Sequence, residues 1–166
     1  MSIFLIPKVD KPEELGQFRP INLCNVVYKI ASKTVANRLR SILPEVVSKE
    51  QSAFVLGRLI IENIITASRT RENRFCALKL DMKQAYDRME WDYLQKIMLK
   101  LDFHMLWVGM IMRMINSVSF SVMFNDQNLD SFKPSRGIRQ GDPISPYLSL
   151  LAAEGLLCLL NSRIRS

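Results

Sequence analysis

The chain has 166 residues, enough for one domain that buries roughly 68–70% of its unfolded surface. The hydrophobic share of 48% excludes an intrinsically disordered protein, and the three widely spaced cysteines exclude a disulfide framework or a zinc site. A net charge of +7 favours a polyanionic partner, although a basic surface without such a partner is also common. Each cysteine lies in an apolar run, so we expect an intracellular protein with reduced cysteines. The longest apolar run, residues 147–160, contains Glu154 and is too short to span a bilayer, so a buried helix is expected there.

The predicted elements give an α+β domain in which helices pack on a small antiparallel sheet. Pro20 favours an extended segment at 18–23, and a helix is predicted from Asn25 to Leu43, where Pro44 ends it. After residue 50 the hydrophobic patterns predict, in chain order, a helix at 59–69, a strand at 75–82, helices at 86–101 and 104–116, paired strands at 117–125 and before 135, and a last helix that begins at Ser145.

The helix predicted at 25–43 has two distinct faces. Five apolar residues share one face, which predicts contact with the core: Val27, Ala31, Val35, Leu39 and Ile42. The opposite face carries a basic row: Lys29, Lys33 and Arg40. Such a row is either a solvated helix face or a contact with the phosphate backbone of a nucleic acid, and the pattern leaves both interpretations open.

Asp81 ends the strand predicted at 75–82, whose alternation places apolar side chains on the opposite face. Its carboxylate is therefore predicted to project from a rigid strand into a cleft. A hard oxygen ligand held in this way suits Mg²⁺, which takes one or two protein carboxylates and completes its shell with phosphate oxygens and water. The alternative is an ordinary turn or capping residue, and a two-metal site for phosphoryl transfer would need further carboxylates.

Tyr86 and Asp87 follow Asp81 at the turn from this strand to the next predicted helix. Tyr86 can pack against a nucleotide sugar and exclude a 2′-hydroxyl, or it can be a hydrophobic cap on the helix. Asp87 is interpreted as the N-cap of that helix, with Glu90 as the reciprocal acid, rather than as a second metal ligand.

A glycine-containing turn, residues 137–146, precedes the last predicted helix. Gly137 and Gly141 permit positive φ and a close approach of the backbone to a ligand. The helix that follows points free N–H groups and the positive end of its dipole at this turn. Gln140 can offer donors and an acceptor to a base or a sugar, and Arg136 and Arg139 add positive charge. Such turns before helices are common, so this one does not identify a function by itself.

Six sequence blocks, in this order, carry a resemblance to a known family. They are LIPK (5–8), FRPINLCNVVYKIASKTVANRLRSILP (18–44), EQSAFVLGR (50–58), ALKLDMKQAYDRMEWDYL (77–94), SVSFSVMFN (117–125) and PSRGIRQGDPISPYLSLL (134–151). Together they resemble the reverse transcriptase of non-long-terminal-repeat (LINE-type) retrotransposons, with the plant branch as the nearest. The resemblance implies part of a right-hand polymerase, with residues 1–74 as a fingers-like region and 75–166 as an incomplete palm.

The resemblance also implies a role for particular residues. Asp81 would be the first catalytic, metal-binding aspartate, with the backbone carbonyl of Met82 as a further Mg²⁺ ligand. Tyr86 would be the sugar gate, and Gln140 and Gly141 would lie beside the incoming nucleotide. Basic residues of the fingers blocks would hold the triphosphate and the template: Lys8 and Arg19 for the nucleotide, and Arg58 with the basic row for the template. The substrates would be a template-primer and deoxynucleoside triphosphates, and the location the nucleus.

The family's Ala-Asp-Asp motif would lie beyond Ser166, so we expect a truncated domain that does not polymerise alone, because one carboxylate cannot hold two metal ions. The alternative function is a non-catalytic nucleic-acid-binding remnant that keeps the basic fingers surface. A third possibility is a chain without function, whose exposed apolar surface promotes aggregation.

Overall fold

The computed structural model describes residues 2–23, 25–49, 51, 54–55, 57–58, 84–124 and 127–164. Their elements, in chain order, are β1 (Ser2–Pro7), a short 3-10 helix (Leu15–Gln17), β2 (Phe18–Leu23), α1 (Val26–Val46), α2 (Trp91–Lys100), α3 (Met105–Asn116), β3 (Ser121–Phe124), β4 (Gln127–Asn128) and α4 (Ser145–Ile164). The α+β class is confirmed. The predicted helix at 59–69 and strand at 75–82 lie outside the described residues.

The sheet has the strand order β2-β1-β3-β4 and is mixed. β1 pairs antiparallel with β2, and β3 pairs antiparallel with β4, as expected of neighbours joined by short loops. β1 and β3 are parallel, with Ser2 opposite Ser121 and Ile3 opposite Val122. The prediction of an antiparallel sheet is therefore wrong at this central pair. The chain between β1 and β3 includes three described helices, and a crossover of that length permits parallel pairing.

Helix α1 begins as predicted, because the Asn25 side chain accepts a hydrogen bond from the Val27 amide at 3.0 Å. It ends at Val46, three residues later than predicted, with Pro44 inside the last turn. A proline there removes a single helical hydrogen bond. Beyond the proline, the Val47 amide still donates to the Leu43 carbonyl at 2.9 Å. The helix therefore continues through the proline.

The face of α1 that enters the core differs from the predicted one. Its buried residues are Ser32, Val35, Ala36, Leu39 and Leu43. Val27 is 74% exposed, Ile42 is 37% exposed and Ala31 is exposed as well, so the assignment of these three residues to the core is wrong. The buried face includes Ser32, whose hydroxyl donates a hydrogen bond to the Asp142 carboxylate. The basic row of Lys29, Lys33 and Arg40 is solvent-exposed, as predicted.

Helix α2 starts at Trp91, whereas the sequence pattern predicted a start near residue 86. The carbonyl groups of Tyr86 and Met89 accept hydrogen bonds from Ile138 and Gly137, at 2.8 and 2.7 Å. These carbonyls are thus engaged with another segment of the chain, and Asp87 lies in the turn before the helix instead of capping it. Glu90 occupies the N-cap position without a side-chain capping bond.

The hydrophobic core lies among the four helices, and its fully buried side chains include Leu39, Leu43, Leu94, Met98, Ile111 and Leu151. Glu154 of α4 is also buried, and its carboxylate accepts a hydrogen bond from the Ser48 hydroxyl at 3.0 Å. This bond joins the end of α1 to the middle of α4. None of the described helices combines the length and the hydropathy that a membrane span needs.

Candidate nucleotide pocket

The turn at residues 137–141 is fixed against the segment that carries Tyr86. Gly137 and Gly141 both have positive φ, +91° and +86°, as the sequence predicted. The Gly137 carbonyl accepts a hydrogen bond from the Trp91 indole N–H at 2.8 Å, in addition to the two amide bonds from Gly137 and Ile138 described above. Three hydrogen bonds therefore place the turn directly beside Tyr86.

Three of the residues predicted to bind a nucleotide line one pocket. Tyr86, Gln140 and Gly141 surround a cavity of about 440 Å³, together with Asp142, Pro143, Ser145 and Pro146. The cavity volume lies within the range of about 300–1,000 Å³ that is usual for small-molecule sites. Ser145 and Pro146 are the first two residues of α4, so one wall of the pocket is the N-terminus of a 20-residue helix. The positive end of the helix dipole favours an anionic ligand at such a wall. The first amide groups of α4 are already bonded within the chain, because Ser145 donates to the Asp142 carbonyl at 3.1 Å and both Tyr147 and Leu148 donate to the Ile144 carbonyl.

Tyr86 is half-buried, and it packs against the core at the edge of this pocket. Burial raises the pKa of its hydroxyl above the ordinary value of 10.0. The side chain is therefore a neutral phenol at physiological pH, with an apolar ring and one O–H donor. Such a group can pack against a sugar without repelling a phosphate.

A second, more enclosed cavity of about 200 Å³ lies on the other side of the turn. Its walls are largely apolar and include Trp91, Ile115 and Phe120. Asp142 and Ser145 line both cavities, so they form part of the partition between them.

A buried ion pair joins Asp142 of this partition to Arg139, which lines only the more enclosed cavity. Arg139 and Asp142 are 7% and 4% exposed, and they form an ion pair with 3.5 Å between Nη1 and Oδ2. Arg139 was expected to add charge to the turn, but its guanidinium is buried against Asp142. Arg136, by contrast, is exposed and pairs with Glu90 at 3.3 Å. The acidic residue at position 142, directly after the glycine, was the signal available in the sequence.

The predicted triphosphate-binding residues, Lys8 and Arg19, lie on the β1–β2 hairpin. Lys8 follows β1 and its ammonium group donates to the Gly16 carbonyl at 3.0 Å, whereas Arg19 is an exposed residue of β2 opposite Ile6. Neither Lys8 nor Arg19 is among the described residues that line the pocket. Their contact with a nucleotide stays a prediction.

Arg58, predicted to contact the template, is bonded to the end of α1. Its Nη1 donates to the carbonyls of Ser48 and Gln51, and its Nη2 donates to those of Pro44 and Val47. These bonds use four of the five N–H donors of a guanidinium. The structure thus gives Arg58 a capping role at α1, and its contact with a template stays a prediction.

The predicted metal ligands, Asp81 and Met82, lie outside the described residues. Within the described part of the chain, no three His, Cys, Asp or Glu side chains come together as a metal site. A carboxylate and a backbone carbonyl, the two groups predicted, are both hard oxygen donors of the kind that Mg²⁺ prefers. The only described cysteine, Cys158, is an exposed free thiol.

Comparison with known proteins supplies the family. The sequence profile described as "Reverse transcriptase (RNA-dependent DNA polymerase)" matches residues 6–166. The transposon TX1 uncharacterized 149 kDa protein of Xenopus laevis is 33% identical over 96% of this chain and 13% of its own length. The probable RNA-directed DNA polymerase from transposon X-element of Drosophila melanogaster is 27% identical over 90% of this chain and 17% of its own length. The Pol polyprotein from the type-1 retrotransposable element R2 of Popillia japonica is 22% identical over 98% of this chain and 24% of its own length.

The chain therefore spans between 13% and 24% of the length of these three relatives. The resemblance to non-long-terminal-repeat retrotransposon polymerases is confirmed, whereas a particular closeness to the plant branch stays a prediction. The family profile matches nearly the whole chain. It covers all six sequence blocks apart from the first residue of the LIPK block. The chain belongs to the reverse transcriptase (RNA-dependent DNA polymerase) family.

Proposed function

We propose that this chain forms the nucleotide-binding and template-contacting part of an RNA-directed DNA polymerase, with deoxynucleoside triphosphates and a template-primer as its substrates. The observation that carries the proposal is the shared pocket of Tyr86, Gln140 and Gly141 at the N-terminus of α4. Tyr86 and Gln140 are 54 positions apart in the sequence, yet three hydrogen bonds bring their segments together.

Each pocket residue has a role that follows from its chemistry. Gln140 can donate and accept hydrogen bonds at once and so fix the orientation of a base or a sugar. The Tyr86 ring, which lines the same pocket, leaves less room for a 2′-hydroxyl than for a hydrogen atom. The positive end of the α4 dipole favours the negative charge of the phosphates. Catalysis by such a site consists mainly of positioning and electrostatic stabilisation.

The proposal assigns Mg²⁺ to Asp81 and the Met82 carbonyl, on the chemistry of those donors. A bound Mg²⁺ would supply neutralisation of the triphosphate charge. The division into a fingers-like region at 1–74 and a palm region at 75–166, and a nuclear location, belong to the same proposal. The exposed row of Lys29, Lys33 and Arg40 is proposed as the surface that contacts the template backbone.

Nucleotide titration of the 166-residue chain tests the pocket. With MgCl₂ present, we expect dATP to bind more tightly than ATP, because the two differ only at the 2′-hydroxyl. Gln140→Ala removes one or two hydrogen bonds to the ligand, and we expect the Kd for dATP to rise about 3- to 10-fold. Tyr86→Ala should bring the affinities for dATP and ATP closer together. Both Kd values can be measured by two-dimensional NMR titration.

Gln95→Ala is the matched control, since Gln95 is exposed on α2 and should leave the Kd unchanged. A chain that binds neither nucleotide, or a Gln140→Ala variant that binds dATP as well as the parent chain does, would remove the proposed nucleotide site. A Tyr86→Ala variant with an unaltered preference for dATP would remove the sugar-gate role alone.

A further inference from the structure

Beside the proposed nucleotide pocket, α1 is bonded to the turn through a polar cluster of four residues: the partly buried Tyr28 and the buried Ser32, Arg139 and Asp142. The Tyr28 hydroxyl donates to Asp142 Oδ2 at 2.7 Å, and the Ser32 hydroxyl donates to Asp142 Oδ1. Ser32 is 0% exposed and Asp142 is 4% exposed. The two residues of α1 thus approach the same carboxylate from positions that are 114 and 110 residues away in the sequence.

Arg139 completes the cluster from the other side. Its Nη2 donates to the Met114 carbonyl near the end of α3 at 2.6 Å. Its guanidinium carbon lies 4.0 Å from the centroid of the Tyr28 ring, a cation–π distance, and Nη1 faces Asp142 in the ion pair described above. Arg139 is therefore tied to α1, to α3 and to Asp142 at once.

Gln140 and Gly141 are the two residues between these anchored positions. The cluster holds the residue before them, Arg139, and the residue after them, Asp142. Asp142 also fixes the start of α4, because its carbonyl accepts from the Ser145 amide at 3.1 Å, and the Ile144 amide lies 3.3 Å from the Ser32 oxygen. The neighbours of the two pocket residues, Arg139 and Asp142, therefore cannot shift without breaking hydrogen bonds of the cluster.

A buried ion pair adds little net stability, because desolvation of both charges offsets their attraction. The hydrogen bonds of such a network favour one geometry of the groups that they join. Here the Asp142 carboxylate accepts from both hydroxyls, whereas Arg139 Nη1 has only its ion-pair contact and no hydrogen-bond partner among the described residues. At this place in the fold the geometry in question is that of the turn beside the nucleotide. Since Tyr28 and Ser32 belong to α1, the orientation of that helix and the orientation of the turn are coupled through one carboxylate.

We infer that Tyr28 and Ser32 of α1 are positioning residues for the nucleotide pocket, which hold Gln140 and Gly141 in place through Asp142 without touching the nucleotide. The inference rests on the proposed nucleotide site and adds to it a dependence on the fingers-like region. Loss of either hydroxyl leaves the Asp142 carboxylate buried with fewer donors, so the turn acquires alternative positions and nucleotide affinity falls.

The test compares Tyr28→Phe and Ser32→Ala with the parent chain by two NMR measurements on the 166-residue protein. Tyr28→Phe removes the hydroxyl but keeps the ring over Arg139. We expect the Kd for dATP to rise at least about fivefold in each variant. In the nucleotide-free chain, we expect the order parameter of the Gly141 N–H to fall from roughly 0.85, the value of rigid backbone, toward roughly 0.6.

Two matched controls remove equivalent groups elsewhere. Tyr93→Phe deletes a tyrosine hydroxyl that donates to the Ala152 carbonyl at 2.8 Å, and Ser48→Ala deletes a serine hydroxyl that donates to the buried Glu154 carboxylate at 3.0 Å. Both variants should lose stability as the test variants do, yet keep the Kd for dATP within twofold and the Gly141 order parameter unchanged.

The outcomes separate this inference from the proposed function. If the parent chain binds dATP, and Tyr28→Phe and Ser32→Ala bind it within twofold of the parent, the inference is wrong while the nucleotide site stands. If the parent chain does not bind dATP, the nucleotide site is wrong, and the order parameter decides the remaining part. An unchanged Gly141 order parameter in both variants would then overturn the positioning role, and a lowered one would support it.

Discussion

Gly137 stands where a side chain would meet two separate obstacles. Its φ of +91° lies in a region that side chains with a Cβ rarely adopt. A Cβ atom there would also lie 3.1 Å from the Asp87 carbonyl oxygen, which belongs to the backbone and cannot rotate away. The close approach of this turn to the Tyr86–Met89 segment therefore depends on glycine, and so does the shape of the nucleotide pocket.

Gly137→Ala is therefore expected to lower the free energy of unfolding by about 1–3 kcal/mol, the usual effect of a strained backbone position. Urea unfolding followed by tryptophan fluorescence measures the change, and Trp91 reports locally because its indole bonds to the Gly137 carbonyl. Gly16→Ala is the control, since no atom beyond its chain neighbours lies within 4 Å of its Cβ position, and it should change stability by less than about 0.5 kcal/mol. Equal effects of the two substitutions would show that the turn is not under this constraint.

For single residues, the backbone conformation at the glycines was predictable from the sequence, whereas the long-range side-chain hydrogen bonds were not. The positive φ of Gly137 and Gly141 and the approach of Tyr86 to Gln140 follow from glycine and from the family blocks. The pairing of Ser32 with Asp142 does not, because residues 110 positions apart leave no periodic signal in one sequence. A buried polar cluster becomes visible only when the fold brings its members together.

At the scale of the elements, α2 and α4 cross at Gly155. The crossing is so close that a Cβ atom at this position would collide with side chains of α2. A Cβ at position 155 would lie 2.5 Å from Ile97 Cδ1 and 2.6 Å from the Tyr93 hydroxyl. That hydroxyl is held by its bond to the Ala152 carbonyl. The two helices therefore pack with glycine against isoleucine and tyrosine, which sets the distance of α4 from the rest of the core.

Gly155→Ala adds a methyl group to this crossing, and we expect a loss of about 1–3 kcal/mol from overpacking. This loss should exceed the small gain that alanine brings to an isolated helix relative to glycine. The double variant Gly155→Ala with Ile97→Val removes the nearest atom and should recover part of the loss, measured by urea unfolding against Ile97→Val alone. An alanine variant as stable as the parent, or more stable, would contradict the close crossing.

Helix existence was easier to predict than helix ends. The helix predicted at 104–116 agrees with α3 (Met105–Asn116). Its first predicted residue, His104, is the N-cap, and the imidazole accepts a hydrogen bond from the Leu106 amide at 3.2 Å. The start of α2 was wrong by several residues, since the carbonyls of Tyr86 and Met89 bond to the turn and not within a helix. Long-range hydrogen bonds of this kind override a local periodic pattern.

On the scale of the whole molecule, residues from both predicted regions share one sheet and one core. β1 pairs with β3, and α1 packs with α4. The exposed basic row of α1 is therefore part of the same folded unit as the nucleotide pocket. The net charge of +7 belongs to the chain as a whole, so the question for template binding is whether the row contacts phosphates specifically or acts only through net charge.

Replacing the row of Lys29, Lys33 and Arg40 with glutamine tests this directly. Each phosphate contact to a single strand contributes about −0.7 to the slope of log K against log salt concentration, so three lost contacts should reduce the slope by about 2. Filter binding of a single-stranded oligonucleotide at several salt concentrations measures it. The control variant has the same change of net charge at three other exposed lysines: Lys96, Lys100 and Lys133. Equal slopes for the two variants would mean that the row acts only through net charge, because a specific contact surface must lose more than a general reduction in positive charge does.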